Sequence, residues 1–216
     1  MTGTDPQATP AIRRVAAFDV DGTLTRRDCV VPFLRQVAGT RELTRGMLRQ
    51  SGAVTRAAAR RDRDALKAAS AMAAFRGVPI HHVETEAHGF ARSVFETGLR
   101  TDVVEELRLH QANGDTVVLV SASFEVYLRP LATLLGVDDV LAARLEVDPD
   151  GLLTGRLIGA NCRGPEKVRR LHEWLDERSG GRSAVHVTAY GDSKGDRELL
   201  ADAEAPQWVG RGKMPR

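Results

Sequence analysis

The stretch Phe18-Asp19-Val20-Asp21-Gly22-Thr23 constrains this chain more than any other. It follows the short apolar run Val15-Ala16-Ala17-Phe18, whose length and composition predict a buried strand. Side chains two apart on a strand share a face, so Asp19 and Asp21 are set to point together beyond the strand end. Gly22 permits a sharp turn there, and Thr23 adds a hydroxyl and an amide N–H. Two carboxylates held side by side repel each other unless a cation intervenes. A hard divalent ion such as Mg²⁺, completed by water and substrate phosphate, is the simplest such cation.

The rest of the chain supplies strands and helices in alternation. Thr116-Val117-Val118-Leu119-Val120 predicts a second buried strand, preceded by a helix over 101–112 and the turn Asn113-Gly114-Asp115. Phe124 to Leu135 reads as a helix ending at Gly136, with Pro130 expected to kink it or delay its start. The turn Asp148-Pro149-Asp150-Gly151 predicts a hairpin pairing 143–147 with 152–158. Gly164-Pro165 opens a helix, Ala184 to Tyr190 forms another strand, and a short helix near 196–203 leads to a last strand at Trp208-Val209. This order predicts an α/β fold, a Rossmann-like, doubly wound parallel sheet.

One region breaks the alternation. From Arg41 to Arg76 the chain is rich in Ala and Arg and poor in β-branched residues. Beyond Pro79, the residues Ile80, Val83, Ala87, Phe90 and Val94 recur at helical steps. Residues 33–97 therefore predict an all-helical cap inserted in a core made of 12–32 and 98–216, with 1–11 as a disordered leader. The 41–76 region carries nine Arg or Lys against three Asp or Glu, although the whole chain has a net charge of only +2. That basic surface suits phosphorylated molecules and leaves membrane-surface association open, or it is a solvated helical face.

Composition excludes several classes. No run approaches the ~20 apolar residues of a membrane span. Two cysteines, Cys29 and Cys162, show no metal-ligand spacing and point to a reduced, cytoplasmic setting. No nucleic-acid motif is present and only 5% of residues are aromatic, so no nucleic-acid partner is expected. His81, His82 and His88 lack the spacing and the partners of a metal site and read as exposed helical residues.

Ligands of open parallel sheets bind beyond the carboxyl ends of the strands. Collected there are Asp19 and Asp21, then Ser121 with Ser123, then Gly191-Asp192-Ser193 with Asp196. Lys167 sits in the first turn of the helix opened by Pro165, where N–H groups favour an anion. Carboxylates, a hydroxyl and an amine from four segments suit a metal together with a phosphate.

These four segments resemble, in order, the motifs of the haloacid dehalogenase superfamily of phosphatases: Asp19-x-Asp21-Gly22-Thr23, Ser121, Lys167, and Gly191-Asp192-Ser193-Lys194-Gly195-Asp196. The helical insertion between the first two is similar to the cap of its phosphoserine-phosphatase-like branch, subfamily IB. The resemblance implies a Mg²⁺-dependent phosphomonoesterase with Asp19 as nucleophile and Asp21 as general acid and base. It implies a metal held by Asp19, the Asp21 carbonyl and Asp192, with Asp196 and Ser193 supporting. Phosphoryl oxygens would be held by Gly22, Thr23, Ser121, Ala122 and Lys167. Asp28 stands where relatives commonly carry Glu to meet a substrate amine, and Ser121-Ala122-Ser123-Phe124 stands where they carry Ser-Gly-Gly-Phe. Asp28 and Ser123 are thus candidates for substrate selectivity. A small phosphorylated metabolite is the expected substrate. A phosphatidylglycerophosphate or other lipid-phosphate phosphatase is the alternative within enzymes. A phospho-acceptor signalling module or non-catalytic phosphate-binding protein is the alternative outside them.

Overall fold

A computed structural model describes residues 14–60 and 62–214; the expected leader, 1–11, lies outside the described residues. Strand β1 (Arg14–Phe18) lies at the centre of a six-stranded sheet. The other strands are β2 (Thr116–Phe124), β3 (Asp139–Val147), β4 (Leu153–Ile158), β5 (His186–Gly191) and β6 (Ala205–Trp208). Their order is β4-β3-β2-β1-β5-β6, parallel throughout except that β4 runs antiparallel to β3.

The register explains why the sequence motifs converge. Phe18 pairs with Leu119 of β2 and with Tyr190 of β5. Asp19 just after β1, Ser121 two residues past Leu119 within β2, and Asp192 just after β5 are therefore brought to the same edge of the sheet. Alternate residues of the central strands are buried on opposite faces, as a sheet covered on both sides requires. Ala16, Phe18, Val117 and Leu119 enter one core, whereas Val15, Ala17, Val118 and Val120 enter a second. Leu171, Trp174 and Leu175 of α8 (Pro165–Ser179) and Leu199 and Leu200 of α9 (Arg197–Asp202) fill that second core.

Between β1 and α6 (Thr101–Ala112) the chain forms five helices. These are α1 (Val30–Ala38), α2 (Thr40–Arg49), α3 (Ser51–Ala59), α4 (Arg63–Phe75) and α5 (Ile80–Ser93). Apolar side chains of α1, α4 and α5, with Leu43 of α2 packed against them, join the first sheet core without a break. Phe33 of α1 is the junction: its ring lies 4.7 Å from Tyr127, 5.2 Å from Phe90 and 6.1 Å from Phe75. The segment leaves and rejoins the sheet at one place. Arg26 N–H donates to Gly98 O, Arg100 N–H donates to Leu24 O, and a π turn over Val94–Gly98 closes α5 onto this pair of crossings.

Two local expectations are corrected. Strand β2 does not stop at Val120 but runs to Phe124, with a register shift between Ser121 and Phe124 that leaves Ser121-Ala122-Ser123 in an irregular strand end. Helix α7 (Glu125–Leu135) starts ahead of Pro130 and continues through it. The proline forfeits one backbone hydrogen bond, which buried Tyr127, Leu128, Leu131, Ala132 and Leu135 on the packed face outweigh. The predicted end at Gly136 is present, in the left-handed conformation at φ 68°.

Replacing Phe33 by Ala should destabilise the protein by about 3–5 kcal/mol, the usual cost of emptying a buried aromatic site. Because the two regions share one core, urea unfolding followed by far-ultraviolet circular dichroism should remain a single transition. Two separated transitions would show that the helical segment and the sheet fold independently.

Candidate active site

Asp19 is buried at the end of β1, where its N–H donates to Tyr190 O at 3.0 Å. Its carboxylate meets Lys167, whose Nζ lies 2.6 Å from Asp19 Oδ1 and 2.5 Å from Asp196 Oδ1. Lys167 is itself fully enclosed, at 1% exposure. Pro165 starts α8 and places Lys167 in its first turn, while Gly164 N–H donates to Gly195 O and ties the helix start to the loop after β5.

That loop is a capped turn. Asp196 Oδ2 accepts from Ser193 N–H at 3.0 Å and from the Ser193 hydroxyl at 2.7 Å, and the Ser193 hydroxyl oxygen accepts from Gly195 N–H. Ser193 thus holds Asp196, and Asp196 holds Lys167. Asp192, half-buried, accepts a hydrogen bond from the Thr23 hydroxyl at 3.2 Å. Gly22 is required on two counts. Its φ is +87°, and a Cβ there would lie 2.3 Å from Asp192 Oδ2. The Gly22 carbonyl accepts from Arg100, which also donates to Val209 O.

Asp19, Asp192 and Asp196 each present a carboxylate oxygen within 4.8 Å of the others. One ammonium, that of Lys167, faces these three acids. It keeps Asp196 below the usual carboxylate range in spite of burial, while its own pKa is raised by Asp19 and Asp196 against burial. It does not suffice for the others. Burial, with the charge of Asp196 added, outweighs Lys167 and lifts Asp19 to about 7, and burial also lifts Asp192. An all-oxygen set with unbalanced negative charge fits a hard divalent cation such as Mg²⁺.

Asp21 stands beside this group with both carboxylate oxygens engaged. Cys29 N–H donates to Oδ1 at 2.8 Å and the Ser123 hydroxyl donates to Oδ2. Burial raises its pKa, which the Ser123 bond opposes. Ser121 is buried, and its Oγ accepts from Ser123 N–H at 3.1 Å. Thr23 is buried against Asp192, and Ala122 lies half-buried between the two serines. Asp28, by contrast, is exposed and accepts from Val31 N–H at the start of α1.

The sequence reading passed over Lys67. This residue of α4 is buried, donates to Ala122 O and to Asn161 Oδ1 at 2.8 Å, and lies 4.7 Å above the Phe124 ring. Asn161 in turn donates to Asp64 at 2.7 Å, so α4 is bound twice to the sheet side of the site. Burial lowers the Lys67 pKa to about 8. A signal existed: Lys67, Ala71, Ala74 and Phe75 fall on one helical face, and the last three are buried.

The sequence profile of haloacid dehalogenase-like hydrolases matches residues 16–201. This chain is a haloacid dehalogenase-like hydrolase. The hydrolase is 38% identical over 200 residues to protein CicA of Caulobacter vibrioides, covering 92% of this chain and 87% of that one. It is 29% identical over 192 residues to phosphoserine phosphatase SerB2 of Mycobacterium tuberculosis, covering 88% of this chain and 42% of that one. Among solved structures, a protein of unknown function from Bordetella pertussis Tohama I superposes with a TM-score of 0.73 at 25% identity, covering 88% and 86% of the two chains. Phosphatases are thus among the relatives of this hydrolase.

Replacing Lys167 by Met should destabilise the metal-free protein by about 3–5 kcal/mol, the cost of leaving a buried ionic partner uncompensated. The pH dependence follows from Asp19. Its folded pKa, about 7, exceeds the ordinary value of 3.8, so ionising it opposes folding progressively from about pH 4 to 7. Without Lys167 this penalty grows, so urea titrations should find a larger loss at pH 8 than at pH 5. An equal loss at both values would show that the lysine does not balance these carboxylates.

Proposed function

We propose that this hydrolase is a Mg²⁺-dependent phosphomonoesterase that acts through an aspartyl-phosphate on a small phosphorylated metabolite. The observation that carries the reading is a buried, lysine-held Asp19 carboxylate at the centre of an oxygen-rich cluster, with Asp21 next to it. A membership in this hydrolase family and a similarity to a phosphatase support it.

In this reading Asp19 Oδ attacks phosphorus and the ester P–O bond breaks. The leaving oxygen keeps the bonding pair, takes a proton from Asp21 and departs as the alcohol. Water then attacks the phosphorus of the aspartyl-phosphate and gives its proton to Asp21. Inorganic phosphate leaves and the Asp19 carboxylate is restored. Burial raises the pKa of Asp21, which suits a group that must carry a proton before surrendering it. Lys167, the Ser121 hydroxyl and the backbone amides around Gly22, Thr23 and Ala122 would hold the phosphoryl oxygens as charge shifts among them. Asp19, the Asp21 carbonyl and Asp192 would hold Mg²⁺, with Asp196 in support; the ion would offset the repulsion between carboxylate and phosphate.

The five-helix segment would serve as a cap, with Lys67 as its contribution to the cleft. An amine that burial brings to about 8 is still largely charged at neutral pH, so it favours an anionic group on the substrate. Its bonds to Ala122 and Asn161 would have to open for entry, which makes cap movement part of the cycle. Asp28 at the exposed rim would bear on the far end of the substrate. Two unpaired cysteines fit a cytoplasmic setting.

The test is hydrolysis of a panel of phosphomonoesters, phosphoserine and sugar phosphates included, with and without Mg²⁺. Turnover should require the ion and should fall by about three orders of magnitude or more in Asp19→Asn, since no second group replaces the nucleophile. Full activity of Asp19→Asn, or of the chelated enzyme, would contradict the assignment. Lys67→Met should raise KM for substrates with a second anionic group by about tenfold, the range of one lost charged hydrogen bond. An unchanged KM across the panel would remove Lys67 from the binding site.

A further inference from the structure

Ser123 and Tyr127 lie four residues apart across the junction of β2 and α7, and Ser123 contacts Asp21. Ser123 is fully enclosed, its N–H is committed to Ser121, and its hydroxyl is committed to Asp21 Oδ2. With Cys29 N–H on Oδ1, neither oxygen of Asp21 is free to rotate.

Tyr127 supplies the second observation. Its side chain is only 1% exposed and is wedged among Phe33, Phe90 and Phe124, yet its hydroxyl makes no hydrogen bond among the described residues. An unpaired phenol inside an aromatic cluster is a net cost that phenylalanine would avoid. Burial first, and the negative charge of Asp21 after it, push its pKa well up. It therefore remains a neutral O–H that lacks an acceptor among the described residues.

We propose that Ser123 and Tyr127 are positioning residues for the proton transfer at Asp21. The Ser123 hydroxyl fixes the plane of the Asp21 carboxyl relative to a phosphoryl group seated on Asp19. The Tyr127 phenol donates to the Ser123 oxygen as the site fills, which keeps the serine proton directed at Asp21. The transfer itself is unchanged: Asp21 gives its proton to the leaving oxygen as the P–O bond breaks, and neither hydroxyl is consumed. This inference rests on the phosphomonoesterase reading above.

A leaving group that is a weak base needs little proton donation, whereas an alkoxide needs it fully. The experiment compares kcat/KM, which reports phosphoryl transfer to the enzyme, for aryl and alkyl phosphates in wild type, Ser123→Gly, Ser123→Thr and Tyr127→Phe. For Ser123→Gly the ratio of aryl to alkyl kcat/KM should rise by about 10- to 100-fold, a part of what general acid catalysis supplies. Ser123→Thr, which keeps the hydroxyl, should return the ratio to near that of wild type. Tyr127→Phe, which removes one oxygen and preserves the packing, should raise it by a smaller factor. Losses that are equal for aryl and alkyl esters in both Ser123→Gly and Tyr127→Phe would overturn the inference while leaving the phosphatase reading intact. A wild-type enzyme active on no phosphomonoester would overturn both.

Discussion

Lys167 is the charge on which the site depends. It is sealed from solvent between Asp19 and Asp196, so its ammonium cannot be lost without leaving two buried acids unbalanced. One lysine is nevertheless too little for a group that also contains Asp192. Burial first, and the neighbouring negative charge after it, displace Asp19 and Asp192 upward, while Lys167 holds Asp196 down against burial. In the proposed function this imbalance is useful. A divalent cation would restore neutrality, and only then could a phosphate dianion approach a carboxylate nucleophile.

The fold delivers these groups by register. Pairing of β1 with both β2 and β5 brings the ends of β1 and β5 level with the Leu119–Ser121 stretch of β2, and the link from Gly164 to Gly195 brings the start of α8 to the same edge. The five-helix segment packs directly on the sheet, with Phe33, Phe75 and Phe90 in the core that also holds Phe124 and Tyr127. The aromatic cluster that joins the segment to the sheet is closed by the Tyr127 ring, which packs on Phe33, Phe90 and Phe124.

The residues that sequence made legible are those set by local backbone. Asp19, Asp21 and Gly22 follow one strand, Lys167 follows the Gly164-Pro165 helix start, and the Gly191-to-Asp196 turn caps itself. Each could be placed from its own neighbours. The wrong or missing readings needed partners distant along the chain. Lys67 is solvated or functional depending on whether Ala122 and Asn161 lie above it, 55 and 94 residues away. Nothing local in the sequence marks Tyr127, whose ring is core; only its unpaired oxygen says more. The length of β2 was misjudged because pairing with β3 carries the strand past the polar Ser121-Ala122-Ser123. Pro130 was overweighted because the apolar face of α7 offsets its lost hydrogen bond.

The central claim is that Asp19 carries the phosphoryl group between the two half-reactions. The direct measurement is rapid acid quenching of the full chain during turnover with Mg²⁺ and a hydrolysed phosphomonoester, followed by peptide mapping by mass spectrometry. The account predicts a transient phosphoryl adduct on Asp19 itself, formed before phosphate release reaches its steady rate. Phosphate release without any such adduct, or an adduct confined to another residue, would contradict it.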